Sequence, residues 1–190
     1  MAKKKVAVLF ADGFEEIEAL TVVDYLRRAE LDVEMLSIKD KNEVKGAHGI
    51  TLICEKLLKD VRPDYDLVVL PGGLPGAEYL RDSEKVISFI KESYQNKKYL
   101  AAICAAPIVL EKAGLTQGKK GTSYPGFEDD LSFAEYKEDI VVQDGRLITA
   151  RGPATAIYFA LKLIEILAGQ DKADEVADGL LLPLVEKSIK

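Results

Sequence analysis

The sequence predicts an α/β fold with a mainly parallel sheet covered by helices on both faces. Strand-like and helix-like runs alternate along most of the chain, which is the pattern of βαβ units. The run Tyr65–Leu70 is almost continuously apolar, as a strand buried on both faces must be.

Taken in order, Lys5–Phe10 is a β-rich apolar run, and Ala-Asp-Gly separates it from a helical stretch over about Glu15–Ala29. Asp32–Ile38 alternates as a strand and ends in the charged turn Lys39–Asn42. Val44–Cys54 pivots on Gly46-Ala-His-Gly49 and reads as a small hairpin or bulge. Pro71-Gly72-Gly73 ends the strand Tyr65–Leu70. Helices follow at about Gly76–Leu80 and Ser83–Tyr94, then the strand Tyr99–Ile103 and a helix over Ala106–Ala113. Gly121–Tyr124 reads as a further short strand, and 125–138 as loop. Ile140–Gln143 and Leu147–Ala150 pair as a hairpin across Asp144-Gly145. Pro153 suits the first turn of a helix reaching Leu167, because the N–H it lacks would be unpaired there anyway. No repeat, low-complexity tract or linker interrupts this order, so 1–190 reads as a single domain of 190 residues.

Composition narrows the function. A net charge of −6 with no basic stripe argues against a nucleic-acid partner. The apolar run after Lys3–Lys5 is too short for a signal peptide, and no segment is long and apolar enough for a membrane span. The two cysteines, Cys54 and Cys104, fit a reducing compartment better than a disulfide scaffold, which makes cytoplasmic the expected location. One histidine and no paired-cysteine spacing argue against a zinc site, and the cysteine chemistry read below needs no metal or organic cofactor.

The chemistry gathers at Cys104. A strand runs into it and a helix runs out, so it occupies a strand-to-helix turn where helix N–H groups favour a thiolate. Ala102 and Ala106 stand where the G-x-S-x-G nucleophile elbow has its glycines, positions at which bulk would block the turn. In parallel sheets ligands collect at the carboxyl ends of strands. Glu15–Glu18, Pro71–Gly73 and Cys104 all fall at such ends. Glu18 could hold a proton beside the thiolate and shuttle it. Alternatively, it belongs with Glu15 and Glu16 to an ordinary acidic first turn. The Gly73 and Ala105 N–H groups could form an oxyanion hole. Equally, Gly72-Gly73 could be a turn and nothing more. His48, the only histidine, reads as a surface turn residue, with a catalytic base as the other option. Cys54 ends an alternating apolar strand and reads as a small core or edge residue, with a reactive role as the other option. Arg151 suits either an anionic substrate group or a structural ion pair. Apolar residues on the first helix (Ile17, Leu20, Val22, Val23, Tyr25, Leu26) spread over more than one face, which suggests either a second subunit or cover from other elements.

Four segments in register, Ala11–Glu18, Val68–Gly73, Ala101–Pro107 and Arg151–Thr155, resemble the ThiJ/PfpI superfamily. The order and spacing are most similar to its parkinsonism-associated deglycase (DJ-one) branch and bacterial relatives, from about Val6 to Leu182. The resemblance implies a flavodoxin-like (class I glutamine amidotransferase-like) three-layer sandwich and a homodimer. It further implies a nucleophilic, easily oxidised Cys104 and a protonated Glu18 beside it. Glyoxalase action without glutathione, protein deglycation, chaperone action and oxidative-stress sensing are attributed to members. The expected substrate is therefore a small aldehyde or dicarbonyl, or a glycated protein, with Tyr124 and Arg151 as candidate substrate-binding residues. Two departures bear on mechanism. Many members carry a histidine two positions past a Thr-Thr or Thr-Ser pair, whereas Thr122-Ser123 is followed here by Tyr124, a poor base near neutral pH. The protease-like branch has histidine directly after its cysteine, where this chain has Ala105, so amidase or protease action ranks last.

Overall fold

A computed structural model describes residues 3–189. The chain runs β1 (Lys5–Phe10), α1 (Glu16–Arg28), β2 (Asp32–Ser37), β3 (Glu43–Lys45), β4 (Thr51–Ile53), β5 (Lys56–Leu57), β6 (Leu67–Leu70), α2 (Gly76–Asp82) and α3 (Glu84–Gln95). It continues through β7 (Tyr99–Ile103), α4 (Pro107–Lys112), β8 (Lys120–Gly121), β9 (Glu135–Tyr136), β10 (Val141–Asp144) and β11 (Leu147–Ala150). Helices α5 (Ala156–Ala168), α6 (Gln170–Gly179) and α7 (Leu182–Ser188) close it.

Seven strands form the main sheet in the order β10-β11-β7-β6-β1-β2-β5, with only the β10–β11 pair antiparallel. Its central strands supply two cores at once. Val6, Val8 and Phe10 of β1 face one core, which α1 and α5 cover, while Ala7 and Leu9 face a second core under α2, α3 and α4. Leu67 and Val69 against Val68 and Leu70 repeat the division in β6, and Ala101 and Ile103 against Leu100 and Ala102 repeat it in β7. The two-residue period of a strand thus explains why these segments are apolar without interruption. The result is the expected three-layer, flavodoxin-like sandwich.

Helix α1 buries Ala19, Val22, Val23 and Leu26. Each large apolar side chain so placed stabilises the fold by about 1.5–3 kcal/mol. Its opposite face leaves Ile17 57% exposed. Other elements therefore cover part of the spread of apolar residues seen in the sequence, and part stays open. Among the described helices none is long and apolar enough to cross a membrane.

The edge strand β5 was not foreseen from the sequence, and in the second half of the chain three segments differ from the sequence reading. Of the expected strand over 121–124 only Gly121 pairs, as the end of Lys120–Gly121, and the Thr122 N–H donates to the Thr149 side-chain oxygen at 2.9 Å instead of to a neighbouring strand. The loop 125–138 contains a 3-10 turn at Glu128–Asp130 and the short strand β9, which pairs with β8. Helices α6 and α7 have no counterpart in the sequence reading. α6 buries only Ala173 and Val176 and α7 only Leu182, too little apolar surface to give a helical period.

Strand order fixes where a site can form. From β1 the chain moves outward to β2 and β5, then returns to β6 on the other side of β1 and proceeds to β7 and β11. That reversal opens a crevice at the carboxyl ends of β1 and β6. The start of α1, the Gly72-Gly73 loop after β6 and Cys104 after β7 all meet there.

Candidate active site

Cys104 has φ = 64°, a left-handed backbone conformation that costs a non-glycine residue about 1–3 kcal/mol. Its neighbours hold it there. The Cys104 N–H donates to the Ala150 carbonyl at 2.9 Å, and its own carbonyl accepts the Tyr124 N–H at 2.9 Å. Ala102 and Ala106 are fully buried on either side, so larger side chains would have no room. This is the strained strand-turn-helix geometry of a nucleophile elbow, with the thiol partly exposed at its tip. The helix beyond it is short, only Pro107–Lys112. The N–H groups that reach the sulfur are those of Ala105 and Gly73.

Glu18 lies in the first turns of α1 and is completely buried. Its Oε2 accepts the Gly72 N–H at 2.9 Å, while its Oε1 is buried without a conventional partner. The carboxyl lies close enough to the Cys104 thiol for each to shift the other's titration. Gly72 makes this approach possible. A Cβ there would stand 2.5 Å from Glu18 Oε2 and 2.6 Å from Cys104 Cβ, so only a missing methyl group separates acid and nucleophile. Gly73 has φ = 89° and packs against Gly13 and Glu15. The sequence reading singled out Gly73 and passed over Gly72. The signal was the Pro-Gly-Gly run itself, but which glycine meets which side chain depends on three segments converging.

Burial pushes the Glu18 carboxyl up to about 7, against the hydrogen bonds to Cys104 and Gly72. Burial also pushes the Cys104 thiol up, and the neighbouring Glu18 carboxylate adds to it, with the Ala105 and Gly73 N–H groups opposing. The backbone N–H groups at the head of the helix do favour the thiolate, as expected, but desolvation opposes it more strongly. Two acids in one dry pocket do not ionise together, so a charge on either one holds the proton on the other. A thiolate at Cys104 therefore requires that Glu18 hold the proton.

Arg151 follows β11, one strand over from Cys104, and its Nη1 is buried without a partner. Among the described residues it forms no ion pair within 4 Å, so the structural ion pair considered from sequence is not what holds it. Tyr124 is 47% exposed, with its ring against Gly152. His48 occupies the turn between β3 and β4, largely exposed, with Nδ1 2.8 Å from Glu16 and 3.4 Å from Glu15. These three side chains are the one group among the described residues with metal-ligand spacing. Both Glu16 oxygens already accept hydrogen bonds from His48, which accounts for the cluster as an ion pair. Cys54 is buried in the core, away from this constellation.

A flavodoxin-like sheet with a cysteine elbow at its carboxyl edge and a buried acid beside it defines a class of α/β protein. Within that class, the chain belongs to the DJ-1/PfpI family, whose model matches residues 4–166. Protein dj-1beta of Drosophila melanogaster is 41% identical over 182 residues, covering 94% of this chain and 97% of the fly protein. Protein DJ-1 homolog A of Arabidopsis thaliana is 42% identical over 183 residues. The chain spans only 47% of that plant protein and 41% of its homolog B. Among solved structures, oxidized DJ-1 from Toxoplasma gondii superposes with a TM-score of 0.90 at 40% identity, covering 94% of this chain and 98% of that one.

Proposed function

We propose that this protein is a cysteine-dependent enzyme acting on small reactive dicarbonyls or their early protein adducts, a glyoxalase and deglycase without glutathione. The observation that carries the reading is the partly exposed Cys104 on its strained elbow, flanked by two backbone donors and a buried carboxyl near neutral pKa. The thiolate adds to the aldehyde carbon, giving a hemithioacetal whose oxyanion faces the Gly73 and Ala105 N–H groups. Glu18, poised near 7, moves protons between the two carbons. The aldehyde carbon is thereby oxidised to a thioester while the adjacent ketone is reduced to an alcohol. Water then releases a 2-hydroxy acid and restores the thiol. The chemistry calls on no cofactor. The test mixes purified protein with methylglyoxal and measures D- and L-lactate beside a Cys104→Ala variant. Lactate formation that persists undiminished in the variant eliminates the mechanism.

A second reading is redox sensing. The unpartnered Glu18 Oε1 and the two N–H groups suit a sulfinate on Cys104 as well as an oxyanion. The T. gondii relative is described as oxidized. Two equivalents of peroxide would each pass one oxygen to sulfur and leave as water. Intact mass after mild peroxide is expected to rise by two oxygens on Cys104, and their absence removes this option.

For the working assembly we propose a homodimer through α1 and the β3–β4 hairpin, where Ile17, Ile50 and Ile53 are exposed. Light scattering of Ile17→Glu is expected to show a monomer. The proposed location is the cytoplasm.

A further inference from the structure

An arginine that borders a reactive site and pairs with nothing needs an explanation, because an unsatisfied charged donor out of water is costly. Arg151 is such a group. Its Nη1 is buried and unpartnered, and it makes no ion pair among the described residues. Glu128, an acid whose charge couples to Arg151, is occupied elsewhere, accepting the Gly126 N–H at 2.6 Å and the Tyr136 hydroxyl at 3.5 Å. The backbone ties Arg151 closely to the nucleophile. The residue before it, Ala150, accepts the Cys104 N–H, and the residue after it, Gly152, carries the ring of Tyr124, whose N–H binds the Cys104 carbonyl. A second buried polar atom on this side, Thr122 Oγ1, is also without a partner.

We infer that Arg151 recognises a carboxylate on the substrate, so that the preferred dicarbonyl carries an acid on a short tail. This rests on the dicarbonyl reading of the Cys104 site. A guanidinium suits a planar carboxylate through paired N–H donors. Neighbouring strands lie about 4.8 Å apart. A tail of two or three carbons, with bonds of about 1.5 Å each, therefore spans from the sulfur to the next strand. The 2-hydroxy acid formed at Cys104 would leave its new carboxylate in the Gly73 and Ala105 cradle, at the other end from Arg151. Product and tail thus do not compete for the same donors.

The probe is 4,5-dioxopentanoate, compared with its uncharged methyl ester. Wild-type kcat/KM is expected to favour the acid by tenfold to about a hundredfold, the range of a charged hydrogen bond. In Arg151→Met that ratio is expected to fall to about one, with Arg151→Lys between. A ratio near one in the wild type, or a ratio unchanged by Arg151→Met, overturns the inference while leaving dicarbonyl turnover standing. A second readout does not depend on turnover. 4-Oxopentanoate, which lacks the aldehyde, should slow iodoacetamide labelling of Cys104 in the wild type but not in Arg151→Met, and its methyl ester should do neither. Carboxylate-specific protection without any turnover upholds the Arg151 site and defeats the glyoxalase reading. No protection beside no turnover defeats both.

Discussion

Cys54 and Cys104 are the two thiols of this chain, and burial opposes ionisation of both. Cys54 is 1% exposed and packed among core side chains, its backbone tied at both ends to Asn42. Burial there pushes the thiol up to about 12, with the Glu55 carboxylate adding to it and no donor relieving it. Cys104 has a strained backbone and is only partly buried, at the margin of both cores. It also has two N–H donors and, in Glu18, an acid able to take up the site's proton. Depth alone therefore does not separate a structural cysteine from a reactive one. The separation comes from whether a dry site also supplies a place for the charge.

The largest effect that tests this contrast is on reactivity. Cys104→Ala is expected to lower both lactate formation and labelling by iodoacetamide by a thousandfold or more, equivalent to about 4 kcal/mol. Peptide mass mapping locates the label, and a native protein labelled on Cys54 at a similar rate would break the comparison.

Glu18→Gln sharpens the electrostatic side. A carboxyl raised to about 7 in the fold binds its proton more tightly than in the unfolded chain, where it titrates near 4.5. Its stabilising contribution is full below the unfolded value and is lost as pH rises to the folded one. Between these limits the wild type should lose about 3 kcal/mol, at about 1.4 kcal/mol per pKa unit, and level off above pH 7. Urea midpoints for Glu18→Gln should lack this loss over the same window. A wild-type profile that rises with pH there would mean that Glu18 is already ionised and cannot serve as the proton store.

Gly72→Ala tests the contact between acid and nucleophile. The added methyl meets Glu18 Oε2 and Cys104 Cβ, and overpacking of this kind costs about 1–3 kcal/mol. Denaturation reads that loss, and labelling of Cys104 should slow in the folded variant because the two side chains are forced apart. Unchanged stability and labelling would show that the loop moves aside freely.

How much of this was legible beforehand follows from the range of each interaction. The continuous apolar runs of β1, β6 and β7 announce strands between two cores, because alternation along one strand is a local property. Cys104 was legible because it stands between a strand and a helix, whereas Glu18 was one of three glutamates after β1 until the family resemblance singled it out. Gly72 was not legible, since its importance comes from three segments meeting in space. The upward push on the Cys104 thiol was hidden for a related reason: sequence displays the helix that follows a cysteine but not the water removed from around it. Helices α6 and α7 escaped because their buried faces amount to one or two residues each.

The smallest effect concerns Cys54. Removing its sulfur leaves a void about the size of a methyl group, which costs about 1 kcal/mol. Cys54→Ala should therefore shift the urea midpoint slightly and leave lactate formation as it is. Wild-type Cys54 should label only when the structure opens, so that its rate climbs with denaturant in step with unfolding, while Cys104 labels at once without denaturant. If Cys54 instead reacted early and its loss slowed turnover, the sulfur now assigned to packing would have a share in the chemistry. The distinction between the two thiols would then need a basis other than the acid beside Cys104.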